Sequence, residues 1–162
     1  MRAWGLQAAF AGLSAAAICG GSAAAQATKG HWEAGEDARG ASMYLMYPDY
    51  SPTNWAVLNI ACDRARRTVT FNEDTGLNTR PRSASISLLV DGKPFSIAAR
   101  AEFNEMDEFW LRIGSASYGS PVVKALAVSR GLGLASSPNG RVLPAAQFQT
   151  SLARFVRACG IG

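Results

Sequence analysis

Four carboxylates crowd one stretch of this chain, Glu102, Glu105, Asp107 and Glu108. Glycoside hydrolysis would need two of them to flank one bond, one as an acid with a raised pKa and one as its base or nucleophile. No acidic group elsewhere is marked as a partner, and four carboxylates around one turn fit a solvated hairpin tip. Sulfur is the other reactive element. Of three cysteines, Cys62 and Cys159 lie in the body of the chain and Cys19 lies near its start. A nucleophilic or metal-binding thiol needs a base or further ligands. The single histidine, His31, sits in a polar stretch far along the chain from both. A serine nucleophile would depend on the same histidine, and no G-x-S-x-G elbow occurs. There is no H-x-x-x-H, C-x-x-C or calcium loop, and Gly131-Leu132-Gly133 lacks the third glycine of a dinucleotide site. The expectation is a protein with no catalytic residue, no metal and no cofactor.

What positions these residues begins with an export leader. Arg2 supplies a positive start, residues 8–18 are nearly all apolar, and Ala23-Ala24-Ala25 and Ala25-Gln26-Ala27 are small-x-small cleavage sites. Residues 1–27 therefore read as a signal peptide removed after Ala25 or Ala27. The apolar run is shorter than the roughly 20 residues a membrane span needs. In an exported chain the two remaining cysteines read as a disulfide, Cys62 to Cys159, closing nearly the whole domain. Sixteen basic residues less Arg2, set against 12 acidic ones, leave a net charge of +3. That excess, with no basic run interleaved with aromatics, gives no reason to expect nucleic acid as a partner.

After the leader, residues 28–40 (TKGHWEAGEDARG) are polar, glycine-containing and aperiodic, and read as a mobile arm before a single domain over 41–162. Trp32 is the exception, either packing on the domain edge or belonging to a binding surface. Residues 41–47 (ASMYLMY) and 55–62 (WAVLNIAC) alternate as strands, the second turning Cys62 inward beside Leu58 and Ile60. Residues 67–72 return across a tight turn, with Val69 and Phe71 in phase. Residues 83–90 and 94–103 form a hairpin around Asp91-Gly92, and 108–116 adds a further strand, so the pattern to this point is an antiparallel meander. The period then changes. Ser120-Pro121 starts a helix over 122–130 that Gly131 stops, and 132–135 is extended. Pro138-Asn139-Gly140 turns the chain into a second helix over 144–158. Its apolar residues Phe148, Leu152, Phe155 and Cys159 form one stripe that delivers the last cysteine to Cys62. The fold class is mainly β: an antiparallel barrel or sandwich of about six to seven strands with two helices, the C-terminal one packed on the sheet.

Candidate contact residues follow from exposure. Phe109 and Trp110 are adjacent on one strand and cannot both face inward. Trp110 and Tyr118, among Tyr44, Tyr47, Tyr50 and Trp55, are therefore candidates for binding, with Glu105 and Asp107 at the acidic tip and Arg64 and Arg66 in a basic turn. If that turn and the loop bearing Arg80 and Arg82 share an end of the sheet, they form one basic patch.

Three runs carry a resemblance: CDRARRTV over 62–69, Phe109-Trp110-Leu111 before a Gly-Ser turn, and the ending FVRACG over 155–160. On these the chain resembles small exported proteins of alphaproteobacteria, and in part the periplasmic lysozyme-inhibitor-like proteins. The S-G-x-x-Y signature of one such inhibitor family is absent, Ser117-Tyr118-Gly119 being the nearest match, so no family residue is carried over. The resemblance implies a periplasmic, non-enzymatic β protein that binds and blocks another protein, a peptidoglycan-cleaving enzyme such as a lysozyme or lytic transglycosylase. Two alternatives stand beside it: an envelope-associated structural or invasion-associated factor touching peptidoglycan or anionic surfaces through its basic loops, and a small carboxylate-dependent hydrolase.

Overall fold

The computed structural model describes residues 30–46, 57–82, 85–105, 108–135 and 141–162. The leader, Tyr47, Tyr50, Trp55, Asp107 and the Pro138-Asn139-Gly140 turn lie outside them. Nine strands are described, β1 (His31–Glu36), β2 (Gly40–Met46), β3 (Leu58–Asp63), β4 (Thr68–Asp74), β5 (Ser85–Val90), β6 (Lys93–Asn104), β7 (Phe109–Ser117), β8 (Leu132–Leu134) and β9 (Arg141–Val142), with helices α1 (Pro121–Ala127) and α2 (Phe148–Cys159). The mainly β class with a C-terminal helix on the sheet is the one expected. The strands form one curled antiparallel sheet, an open half-barrel with edges at β1 and β9.

Strand order is β1-β2-β3-β4-β7-β6-β5-β8-β9. This is not the simple meander of the sequence reading. β4 pairs with β7, Thr68 opposite Ser117 and Phe71 opposite Gly114, so two antiparallel units are zipped along one long-range seam. β6 is long enough to serve two neighbours: residues 93–98 pair with β5 and residues 99–104 with β7. Gly114 lies where it changes partner. A Cβ there would stand 2.8 Å from the Ala98 carbonyl oxygen, so only glycine lets the strands approach this closely.

Residues 31–36 form a paired edge strand, in place of the mobile arm that their polarity suggested. The reason is Trp32. Its side chain is 1% exposed, packs edge-on against Phe148 with ring centroids 5.3 Å apart, and donates from Nε1 to the Pro144 carbonyl at 2.9 Å. The polar residues around it alternate outward. His31 Nε2 donates to Glu33 Oε1 and Tyr44 Oη donates to Oε2, and these two bonds, the histidine's first, hold the Glu33 carboxyl below the usual carboxylate range.

One face of the sheet carries the core. Met43, Ile60, Cys62, Val69, Phe71, Ile86, Leu88 and Ile97 are buried there, beneath Val123 and Leu126 of α1 and Phe148, Leu152 and Phe155 of α2. The α2 stripe is the one read from its spacing, and all four of its residues, Cys159 included, are buried. Cys159 is bonded to Cys62. A disulfide fits an oxidising compartment outside the cytoplasm. Gly40 stands against this bond: a Cβ on it would meet the Cys62 carbonyl oxygen and come within 3.0 Å of Sγ. Among the described residues no helix is long and apolar enough to cross a membrane.

Both helices are shorter than expected at one end. Ser120 caps α1, its side chain accepting from the Val123 N–H, but the helix ends at Ala127, before Gly131. Ser129 Oγ donates to the Leu126 carbonyl, and the Arg130 and Gly131 N–H groups both donate to Asp91 Oδ1 at 2.8 Å. α2 begins at Phe148 because Gln147 adopts a left-handed φ of 61°. Asp91 thus has two tasks. It shares the β5–β6 turn with Gly92, both at positive φ, and it ties that turn to the end of α1. Asp91→Ala should cost about 2 kcal/mol, since it removes two hydrogen bonds to a charged acceptor and places alanine at positive φ. A urea denaturation midpoint measures it, with Asp91→Asn expected to lose less.

Candidate binding surface

The core face does not end where the helices do. Directly opposed residues on neighbouring strands share a face, so the buried row Ile60, Phe71, Gly114, Ala99 is followed by Leu58, Glu73, Arg112, Ala101 one pleat further along. In that row Arg112 Nη1 donates to Glu73 Oε2 at 3.0 Å, with both side chains nearly inaccessible to solvent. One pleat beyond it Phe103 faces Trp110 across the β6–β7 hairpin. Their rings lie 5.3 Å apart at 53°. Phe103 is 42% exposed and Trp110 half-buried.

Three things hold Trp110 in place. Its N–H donates to the Leu77 carbonyl at 3.0 Å, and its own carbonyl accepts from the Thr75 N–H and, at 2.6 Å, from Thr75 Oγ1. The Arg80 guanidinium lies 5.7 Å from the indole centroid, within cation–π reach. Asp74 Oδ1 accepts from the Gly76 N–H at 2.7 Å and shapes the loop that carries Thr75 and Leu77. Leu77, whose carbonyl accepts the Trp110 N–H, is itself 38% exposed. Glu105 and Glu108 stand exposed in the adjoining turn, Glu108 at a positive φ of 56°. Phe109 is half-buried on the other face of β7.

No family model, curated protein or solved structure matches this chain. What the surface does is therefore argued from its own groups. A tryptophan and a phenylalanine fixed on paired strands, with an arginine and a rim of carboxylates, can desolvate a partner's side chain with little entropy to lose. Among the described residues no group of three or more His, Cys, Asp or Glu could hold a metal ion.

Trp110 and Glu105 are thus brought together at one end of the sheet. The other candidates are elsewhere. Tyr118 follows the far end of β7, roughly 26 Å along the strand from Trp110. It is buried beneath the Arg67 guanidinium, 5.3 Å from its ring, and its N–H donates to the Arg67 carbonyl. Burial also pushes its phenol up in pKa. A side chain so enclosed packs the entry to α1 and cannot meet a partner. Arg64 and Arg66 are in the β3–β4 turn: Arg64 Nη2 donates to the Asp37 and Ala38 carbonyls, and Arg66 pairs with Asp63 at 3.6 Å. Arg64 thus ties this turn to the one between β1 and β2, while Arg66 braces its own turn. Arg80 and Arg82 follow the opposite end of β4, so the single basic patch does not form.

Phe103 and Arg80 are the two members that sequence reading missed. Phe103 ends the returning strand of a hairpin that the pattern gives without faces, and charge alone groups Arg80 with a turn at the other end of β4. The sign available was the Asp91-Gly92 hairpin, which sets the phase of β6 and puts Phe103 on the face of Phe95 and Ile97.

Proposed function

We propose that this protein is a non-enzymatic periplasmic binding protein acting on another protein, as an inhibitor or regulator of a peptidoglycan-cleaving enzyme. The observation that carries the binding reading is the pair of exposed Phe103 and half-buried Trp110 beneath Arg80, continuous with the core face yet beyond the reach of the helices. Aromatic and arginine side chains on a rigid backbone are the residues that dominate protein interfaces. The disulfide supports a compartment outside the cytoplasm. The choice of a cell-wall hydrolase rests on the resemblance of the CDRARRTV and FVRACG runs to lysozyme-inhibitor-like proteins.

The test mixes the oxidised protein with lysozymes and lytic transglycosylases and follows the turbidity of a cell-wall suspension. Protection is expected at stoichiometric amounts. Trp110→Ala should weaken it by about 30-fold, the loss of a central interface anchor of about 2 kcal/mol, while Glu105→Gln changes it little. No protection at excess, and no protein captured from a periplasmic extract, would sink the reading. The envelope-factor alternative places its contacts on the basic loops, and there Arg64 and Arg66 lie at the opposite end of β4 from Arg80 and Arg82. Activity on glycans lost in Glu105→Gln would favour the hydrolase instead.

A further inference from the structure

β1 is an edge of the sheet, and α2 runs beside it. Between them lies a cavity of about 640 Å³, within the roughly 300–1,000 Å³ of formed ligand sites. Its two walls are of different kinds. One is the successive residues His31 to Ala34 of the edge strand, and the other is Thr150 and Arg154, one turn apart on one side of α2, with Gln147 just before the helix.

The pairing of β1 decides which backbone groups face this groove. Asp37 N–H donates to the Gly40 carbonyl, so that pair is hydrogen-bonded and the alternate pairs Glu36–Ala41, Ala34–Met43 and Trp32–Leu45 are not. The N–H and C=O groups of Trp32, Ala34 and Glu36 therefore point away from β2. Ser151 Oγ of α2 donates to the Trp32 carbonyl at 3.0 Å, which agrees with that direction and occupies this one carbonyl, leaving the Trp32 N–H and the groups of Ala34 and Glu36 for a ligand. Among the described residues no strand lies beyond β1, and Arg154 has no carboxylate partner.

We propose that this groove binds an extended segment of a partner protein, which adds as a further strand along β1 and sets an acidic side chain against Arg154. The mode is β-strand addition, in which main-chain bonds to an open edge give affinity and the flanking helix gives side-chain selection. The acid is selected because Arg154 is the cation of the groove wall, whereas Glu33 is already engaged by His31 and Tyr44. A second copy of the chain is the poorer occupant. Pairing β1 with β1 would bring a second α2, with its own Arg154, up to the first, setting like charges at the same groove. This site lies at the sheet edge, several strands from Trp110, and does not depend on the role given to that residue.

The experiment screens a phage-displayed library of random linear decapeptides against the oxidised protein, then measures selected peptides by fluorescence anisotropy. Two variants are compared. Ala34→Pro removes an outward N–H without breaking a β1–β2 bond, as proline is tolerated at an edge. Arg154→Glu reverses the charge at an exposed position off the buried stripe of α2. The expected result is enrichment of peptides bearing Asp or Glu, at least 10-fold weaker binding to Ala34→Pro, and a switch to lysine-bearing peptides in Arg154→Glu. Peptides that bind both variants as well as the parent, or a library that yields none, would overturn the proposal. So would self-association of the parent in sedimentation that Ala34→Pro abolishes, because the occupant would then be a second copy.

Discussion

Arg112→Leu should lower the folding stability by about 3–5 kcal/mol, the cost of breaking a buried ion pair from one side. Arg112 and Glu73 face each other on β7 and β4 with 3.0 Å between nitrogen and oxygen, and their side chains are 9% and 3% exposed. Bringing two charges out of water is costly, and their mutual attraction offsets much of that cost only while both are present. Leucine fills the volume but takes from the buried Glu73 carboxylate the guanidinium that stands 3.0 Å from it. Glu73→Leu alone should be damaging for the mirrored reason. The double variant Glu73→Leu/Arg112→Leu should then be less damaging than the sum of the singles, since both buried charges leave together. Urea midpoints of the four proteins give the coupling directly. Additive losses, or an Arg112→Leu variant within about 1 kcal/mol of the parent, would show that water reaches the pair and that its burial is not what holds the seam.

The disulfide is the second large effect. Cys62 and Cys159 are 97 residues apart, and closing a loop of that length in the unfolded chain is worth about 4–5 kcal/mol in the chain-entropy account. Cys62→Ala/Cys159→Ala should lose that amount, together with the buried contact in which Cys62 Sγ accepts from the Ala41 N–H at 3.2 Å. The loss is a large fraction of a domain's usual margin of 5–15 kcal/mol. Reduction of the parent with dithiothreitol should shift its urea midpoint most of the way to that of the double variant, since the reduced Cys62 keeps its sulfur beside the Ala41 N–H. An unchanged midpoint on reduction would mean that the α2 stripe holds the helix on the sheet unaided.

How much could be read from the sequence follows from which distances the pattern encodes. Alternation at period two assigned residues to faces, so Leu58, Ile60 and Cys62 were turned inward correctly. The helical spacing of Phe148, Leu152, Phe155 and Cys159 led the last cysteine to its partner. Alternation says nothing of which strand lies beside which. The β4–β7 seam joins residues as far apart as Thr68 and Ser117, and no local pattern distinguishes it from a β4–β5 hairpin. β1 escaped because an edge strand that buries one tryptophan can be polar almost everywhere else. The candidate surface was half legible for the same reason. Trp110 stood out through its neighbour Phe109, but its contacts with Phe103 and Arg80 depend on hairpin register and loop path. Tyr118 misled because an aromatic at a strand end is equally suited to roofing a helix start.

The sulfur bond also determines how the molecule would respond to being pulled. Tension applied between Gly30 and Gly162 passes through β1, β2 and β3 to Cys62 and crosses there directly to Cys159. The seam between β4 and β7, the long β6 and the aromatic pair at its tip are enclosed in the bypassed loop and carry no load. A single-molecule stretch of the oxidised protein should therefore release a short length of chain and stop, and the remaining contour should appear only once the thiols are reduced.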